Sequence, residues 1–547
     1  MRILGISPFH DSSVAVYCDG KIESFYKEER YSRIKRDKHP FKTLDLVKQE
    51  GKKIDLAVIC SPTNGDSSLY AYTELLKKSL GIEAVVDMSA EHHLQHASLA
   101  FYNSGFEKSL VIVIDRNGSI IGNNFRESET VFVAEYPHTF TEIYKNYWYT
   151  NKDMNAESYE ILQEKYKDTQ TVATVGSMQG IVKVYESATS LIGQQALENG
   201  KTMGLASYGK DIEDFPNLFV ELGIGDDKLF NHFHDKWGDY VCGYKDHTDE
   251  VIDHVHPDHY KFYADYAYQV QKQTQEAVLN LIKKSIAHTD IKNVCITGGY
   301  GLNVIANQYY LKSLPDVSFY FEPLADDSGN SLGGAMYQYR YYTRDMKIYP
   351  IKDTFFHGKK YNISKIKGEK CTYESIANSL SKGESVAIYE GYAEAGPRAL
   401  GNRSILFDAR NPDAKNLINK VKNREWYRPF AAAVLEEDAS LYFDMIIPTS
   451  PYMTVSFNAN EYAIKNIPGV IHVDGTCRIQ TVSKENKNLY NLLKEFKKAT
   501  GHGVLLNTSF NLAGEPLVET PQEALSVLDR SELSLVWFPE IGKYVKK

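Results

Sequence analysis

Three times in this chain a short apolar run breaks off at a polar or glycine-rich turn. Residues 2–7 (RILGIS) stop at Pro8-Phe9-His10-Asp11-Ser12, and the chain resumes as 13–18 (SVAVYC). SLVIVI stops at Asp115-Arg116-Asn117-Gly118-Ser119, and NVCIT stops at Gly298-Gly299-Tyr300-Gly301. Runs this short, bounded by turn residues, read as strands. The turns set polar side chains and close-approaching backbone at strand tips. With helical stretches between them, the predicted class is α/β, with chemistry at the strand ends. Asp19-Gly20 predicts a tight turn into a third strand, KIESFYKEER.

Length sets the domain count. At 547 residues the chain exceeds one ordinary core, and a loop-like stretch at 345–370 predicts domains at 1–350 and 351–547. A net charge of -9 argues against general charge-driven nucleic-acid binding, while leaving room for a local basic groove. Six scattered cysteines (18, 60, 242, 295, 371 and 477) fit neither a disulfide framework nor a cysteine zinc site. No apolar run reaches bilayer length, and no leader is legible in MRILGISPFHDSS, so a cytoplasmic location is expected. Residues 54–60 predict a buried strand, 67–80 a helix, and Tyr260 to Ala287 a long helix. Residues 120–180 are aromatic and mixed-charge with weak periodicity, and much of 140–175 is expected as loop or insert; 210–258 carries no legible chemistry, and no internal repeat is visible.

A metal set can be assembled from separate motifs. In Glu91-His92-His93-Leu94-Gln95-His96 a helix puts His92 and His96 at i and i+4, on one face. Two imidazoles are half a site, and the H-E-x-x-H glutamate is absent. Asp115 at its strand tip and Asp327 in Asp326-Asp327-Ser328-Gly329-Asn330 would complete two histidines and two carboxylates. Such donors suit Fe(II), Mn(II) or Zn(II) alike.

Cations gather farther on. Tyr389 to Ala432 holds Gly396-Pro397-Arg398-Ala399-Leu400-Gly401-Asn402-Arg403-Ser404, then a helical segment that delivers Lys422, Arg424 and Arg428. Arginine forks match oxyanions two at a time, and lysine adds a point charge. The same pattern fits a solvated charged face. His472-Val473-Asp474-Gly475-Thr476-Cys477-Arg478 and the run from Gly503 through Asn507, Ser509 and Gly514 both read as strands running into polar turns. His10 and the basic run 30–42 are candidate phosphate contacts, against the plainer reading of surface residues.

Together these stretches resemble the NodU/CmcH family of O-carbamoyltransferases. The resemblance rests on HDSS with EERYSR, EHHLQHASLAFYNSGF, GKTMGLASYG, TGGYGLNVIAN, DDSGNSLGGA, EAGPRALGNRSIL, KNREWYRPFAAAVL, DGTCRIQTV and LLNTSFNLAGEPLVETPQEAL, which follow the family order across nearly the whole chain. It implies a two-lobed actin-like (ASKHA, Kae1-like) ATP- and metal-binding domain fused to a C-terminal YrdC-like α/β domain for carbamoyl phosphate. It implies a carbamoyl-adenylate whose carbamoyl group passes to an acceptor hydroxyl.

Carried over by motif, His92, His96, Asp115 and Asp327 are the metal ligands, with Fe(II) the family metal and Mg(II) accompanying ATP. Gly298, Gly299 and Asn303 would meet the adenosine end. Arg398, Lys422, Arg428, Arg478 and Ser509, with Asn507 nearby, would contact carbamoyl phosphate, and Arg398, Lys422 and Arg428 would act on it. His10 would act near the phosphates or as base on the acceptor. Arg116 stands where the family usually has glycine, which puts that phosphate turn in doubt.

The expected partners are the two small-molecule substrates and a hydroxyl acceptor: a small molecule, a sugar or antibiotic, or a hydroxymethylated nucleobase. Nucleic acid enters only as acceptor, no membrane is expected, and a homodimer is allowed. Two other readings are a tRNA threonylcarbamoyladenosine-type enzyme and a non-catalytic actin-like ATP-binding module. The domain order and the REWYRPF and GPRALGNRS stretches weigh against the first, and matches in both domains against the second.

Overall fold

The structure, a computed structural model, describes residues 1–61, 66–121, 125–149, 156–176, 180–195, 197–215, 217–219, 260–349 and 356–547. Most of 210–258, Cys242 among it, lies outside the described residues. The chain divides into two compact units, Met1–Glu23 with Lys38–Lys352, and Ser24–Asp37 with Asp353–Lys547. The second unit thus takes in a segment from far upstream that the sequence reading gave to the first domain. No helix among the described residues is long and apolar enough to cross a membrane.

Among the described residues the first unit carries two sheets. One is ordered β3-β2-β1-β4-β5, from β1 (Arg2–Ser7), β2 (Ser13–Cys18), β3 (Lys21–Lys27), β4 (Leu56–Ile59) and β5 (Val85–Asp87). The other is built from β6 (Lys108–Ile114), β7 (Ile120–Ile121), β8 (Phe125–Glu135), β9 (Thr139–Tyr149), β10 (Val172–Gly176), β11 (Asn293–Thr297) and β12 (Ser318–Phe321). Its path is β10-β9-β8-β6-β11-β12. Both sheets repeat one plan. The second strand runs antiparallel to the first, and the next two strands continue parallel on its other side. This duplicated order is the two-lobed actin-like arrangement that the family resemblance implies. β1 and β4 are buried along their whole length, which is why they read as unbroken apolar runs.

The expectation of a loop or insert over 140–175 is overturned. β9 pairs antiparallel with β8 from Phe125↔Tyr149 to Glu135↔Thr139, a helix spans Ala156–Tyr166, and β10 pairs parallel with β9. The alternation was hidden by charges inside the sheet. Lys145 Nζ lies 2.5 Å from Glu127 Oε1, both groups almost fully buried. A paired lysine and glutamate can occupy core positions, and then apolar periodicity no longer marks a strand.

The second unit is a nine-stranded mixed sheet of β13 (Glu369–Lys370), β14 (Val386–Tyr389), β15 (Arg403–Asp408), β16 (Ala431–Leu435), β17 (Ser456–Asn458), β18 (Thr476–Val482), β19 (Val504–Ser509), β20 (Leu535–Phe538) and β21 (Lys543–Lys546). Its order is β13-β21-β20-β14-β15-β19-β16-β18-β17. The core joins Ile388, Leu406, Leu435, Leu505 and Trp537 of the sheet to Leu380, Leu492 and Phe496 of the helices Tyr373–Ser381 and Lys487–Thr500. Two local expectations change. The helix Ala414–Lys422 ends at Lys422, and Asn423 turns left-handed at φ 50°, so Arg424 and Arg428 lie beyond it. Asparagine tolerates that conformation better than most residues. The polar turn at His472–Gly475 comes before β18, not after it.

Candidate functional site

The first unit brings its four candidate ligands into one cluster. His92 opens the helix His92–Ser104 and His96 follows one turn later, both 0% exposed, with ring centroids 4.8 Å apart. Asp115 follows β6, and Asp327 lies in the turn after β12. His92 Nε2 is 3.4 Å from Asp115 Oδ2 and 3.6 Å from Asp327 Oδ1; His96 Nε2 is 3.4 Å from Asp327 Oδ1. All four ligand atoms lie within 4.8 Å of one another.

These spacings are long for hydrogen bonds, and His92 Nε2 is buried without a hydrogen-bond partner. They fit ligand edges instead, since bonds of about 2.1 Å in a tetrahedron put neighbouring donors about 3.4 Å apart. The donor set therefore fits a divalent metal. Asn330 faces both rings, with Nδ2 3.4 Å from His92 Nδ1 and 3.2 Å from His96 Nε2.

Close backbone approach makes the cluster possible. The helix Asn330–Thr343 crosses the His92–Ser104 helix at Gly333, where a Cβ would stand 2.1 Å from the Gln95 carbonyl oxygen. Gly298 holds φ at 81°, and a Cβ there would meet the Ile114 carbonyl oxygen at 2.4 Å. Its neighbour Gly299 donates its N–H to Asp115 Oδ1 at 3.0 Å. The glycine turn and the Asp115 turn are thus joined. Asn303, in contrast, spends its side chain locally. Its Oδ1 accepts from Ala306 N–H as a helix cap, and its Nδ2 donates to Gln271 Oε1.

Electrostatics follow from packing. Burial disfavours charge on His92, but the adjacent Asp115 and Asp327 carboxylates outweigh it and raise its pKa. Burial pushes the Asp115 carboxyl up, yet the neighbouring His92 and His96 hold it well below the usual range. His10 sits beside the cluster, Nε2 3.5 Å from Asp327 Oδ2 and Nδ1 3.4 Å from Asp11 Oδ2. Burial lowers its pKa, but Asp327 and Asp11 outweigh burial and raise it. His93 turns away to Thr130 Oγ1 at 2.6 Å, and burial brings it down to about 3, a neutral imidazole. Arg116 forms a fork with Glu186 of the helix Ile181–Leu191, its Nη2 2.9 Å from Oε1.

Sequence reasoning missed the support of this cluster. Ser119 Oγ accepts the His92 N–H at 3.0 Å and donates to the Ser89 carbonyl at 2.8 Å. Glu127 Oε2 accepts the Ser119 N–H at 2.8 Å, and backbone bonds link Gly118 and Ser119 to Glu127. No local pattern announces a serine that caps a helix 27 residues upstream.

The second unit gathers cations. Lys422 is buried, and its Nζ donates to the Ser509 carbonyl, to Ser509 Oγ at 3.2 Å and to Asn511 O and Oδ1 at 2.8 and 3.2 Å. Burial, then Arg424, Arg428 and Lys35, hold its ammonium well below the lysine range. Burial brings Arg478 down to about 10, with Arg428 adding to the effect. Lys422, Arg428 and Arg478 therefore share one neighbourhood. Arg424 is spent on structure, bonding Asn419 Oδ1 at 2.6 Å and lying over the Phe430 ring at 4.1 Å.

Sheet register aligns Arg478 and Asn507 with Ala431, and Ser509 with Ser404. Asn507 is fully buried, its Nδ2 donating to Gln480 Oε1 at 2.9 Å and to the Ala399 carbonyl at 3.3 Å. Arg398 is half-buried in the Gly396–Ser404 turn. That turn closes around Glu394, missed in the sequence, whose Oε1 accepts N–H bonds from Leu400, Asn402 and Arg403 at 2.8, 2.9 and 3.1 Å. Asn511 was missed as well.

A family model described as carbamoyltransferase N-terminus matches residues 67–336, and one described as carbamoyltransferase C-terminus matches 377–544. The nodulation protein NolNO of Sinorhizobium fredii is 27% identical over 593 residues, covering 98% of this chain and 79% of its own. NolO of Bradyrhizobium diazoefficiens is 27% identical over 81% of this chain and 76% of its own. Nodulation protein U of Sinorhizobium fredii is 32% identical over 41% of this chain and 40% of its own. Among solved structures, full-length HypF in its phosphate- and nucleotide-bound form has 14% identity and a TM-score of 0.39, covering 62% of this chain and 56% of its own. That likeness is too low to carry an argument. The two family models span most of the chain, and the chain belongs to the carbamoyltransferase family.

Proposed function

We propose that the protein is an ATP- and metal-dependent O-carbamoyltransferase that uses carbamoyl phosphate. The observation that carries this reading is the gathering of Lys422, Arg428 and Arg478 in one neighbourhood, with Lys422 bonded to the Ser509–Asn511 turn, in a chain whose other unit holds the four-ligand cluster. Like charges drawn together in a partly buried site repel, and a small dianion between them removes that cost.

On this reading the cations bind the phosphoryl group and hold its charge as water attacks the carbamoyl carbon, the carbon–oxygen bond to phosphate breaks and phosphate leaves with the bridging oxygen. The freed carbamate oxygen attacks the α-phosphorus of ATP and releases pyrophosphate. The acceptor hydroxyl then attacks the carbamoyl carbon of the adenylate and releases AMP, its proton going to His10 as base. A divalent ion held by His92, His96, Asp115 and Asp327 would supply charge neutralisation for the nucleotide phosphates. On this reading the Gly298–Gly299 turn, held to Asp115 through the Gly299 N–H, borders the nucleotide. The acceptor is a hydroxyl compound.

The test is pyrophosphate release from ATP with Fe(II) or Mn(II) and Mg(II), with and without carbamoyl phosphate. Release that needs carbamoyl phosphate and is lost in Arg428→Ala supports the reading. ATP-dependent release that ignores carbamoyl phosphate sinks it.

A further inference from the structure

The Ser24–Asp37 segment belongs to the second unit, although three hundred residues separate it from the rest of that unit. Its basic run is unusual in where the charge goes. Arg33 bonds the Leu517 and Pro516 carbonyls at 2.8 and 3.0 Å and pairs with Glu523 at 3.3 Å, which straps the segment along the chain that follows β19. Arg30 is 5% exposed, and its Nη2 reaches the Gly396 carbonyl at 3.3 Å, beside Arg398. Its Nε and Nη1 are buried without hydrogen-bond partners, and the carboxylate of Glu29 stands 3.7 Å from Nε. Lys35 is exposed and near enough to act on the Lys422 ammonium. A buried guanidinium with open N–H groups is costly unless an acceptor arrives.

We propose that this N-terminal segment forms a wall of the anion site in the second unit, with Arg30 and Lys35 contacting the phosphoryl oxygens of the ligand held by Lys422 and Arg428. The inference rests on the carbamoyl-phosphate reading of that site. It adds to it that the site is assembled from both ends of the chain. The competing role for Arg30 is a structural one, balancing the buried Glu519 carboxyl, whose charge it helps to offset.

The two roles separate in binding measurements. Inorganic phosphate and carbamoyl phosphate are titrated calorimetrically into the full-length protein and into R30Q, R30K, K35Q and R428Q. A contact role for Arg30 weakens both ligands about 10- to 100-fold in R30Q, with partial recovery in R30K and unchanged ATP affinity. K35Q, at an exposed position, loses about threefold and shows a shallower dependence on salt. Should R30Q fail to fold, K35Q decides. Wild-type affinity in R30Q and K35Q, with binding lost in R428Q, overturns this inference and leaves the site reading intact. A wild-type protein that binds neither ligand overturns both.

Discussion

The hydroxyl of Ser119 accepts the backbone N–H of His92 at 3.0 Å, so the turn that follows one candidate metal ligand caps the helix that carries two others. Asp115, His92 and His96 are thereby tied through one side chain. Ser119→Ala removes the cap and the tether together. Caps of this kind are worth about 1 kcal/mol, and outer-shell partners of metal ligands about 10- to 100-fold in affinity. The expected result is a loss of metal affinity in that range with the fold retained, read by metal titration. An alanine variant that binds metal like wild type would remove Ser119 from the site.

Metal binding is expected to weaken as pH falls. His92 has a raised pKa, and a metal must displace its proton, so apparent affinity drops about tenfold per pH unit per proton below that value. Asp115, held low, adds no proton competition in the same window. The metal-free protein shows the opposite trend in stability. The stabilisation from a raised histidine is complete below its ordinary 6.5 and is lost as pH rises through the folded-state value. Thermal melts of the metal-free and metal-loaded protein across this range test both signs, and a pH-independent metal affinity would refute the first.

Glu394 holds three backbone N–H groups of the Gly396–Ser404 turn and is 2% exposed. Glu394→Ala leaves them without an acceptor and should cost about 3 kcal/mol or more, while Glu394→Gln keeps one oxygen and costs about 1 kcal/mol. Denaturant midpoints measure the order. Equal midpoints for alanine and wild type would show that water replaces the carboxylate.

Gly333→Ala forces a methyl into the Gln95 carbonyl, 2.1 Å from its ideal position. The two crossing helices have to separate, at an expected cost of about 1–3 kcal/mol. Because those helices carry His92, His96 and Asn330, metal affinity should fall with stability. A destabilised variant with unaltered metal binding would mean that the cluster does not depend on this crossing.

The sequence by itself determined the strand tips, the chemistry of His92, His96, Asp115 and Asp327, and the supply of cations around Lys422. Those features are local: apolar runs end at turn residues, a helix sets i and i+4 on one face, and donor types limit the ligand. Only the tertiary structure decided which distant residues meet. The shared order of the two sheets lies in strand pairing, which leaves no repeat in the residues. β9 escaped notice because Lys145 and Glu127 neutralise each other inside the sheet. Ser119, Glu394 and the Ser24–Asp37 segment act across separations of 6 to several hundred residues, where bonding depends on chain crossings and carries no periodic trace. Local chemistry is written residue by residue, whereas convergence is a property of the packed chain.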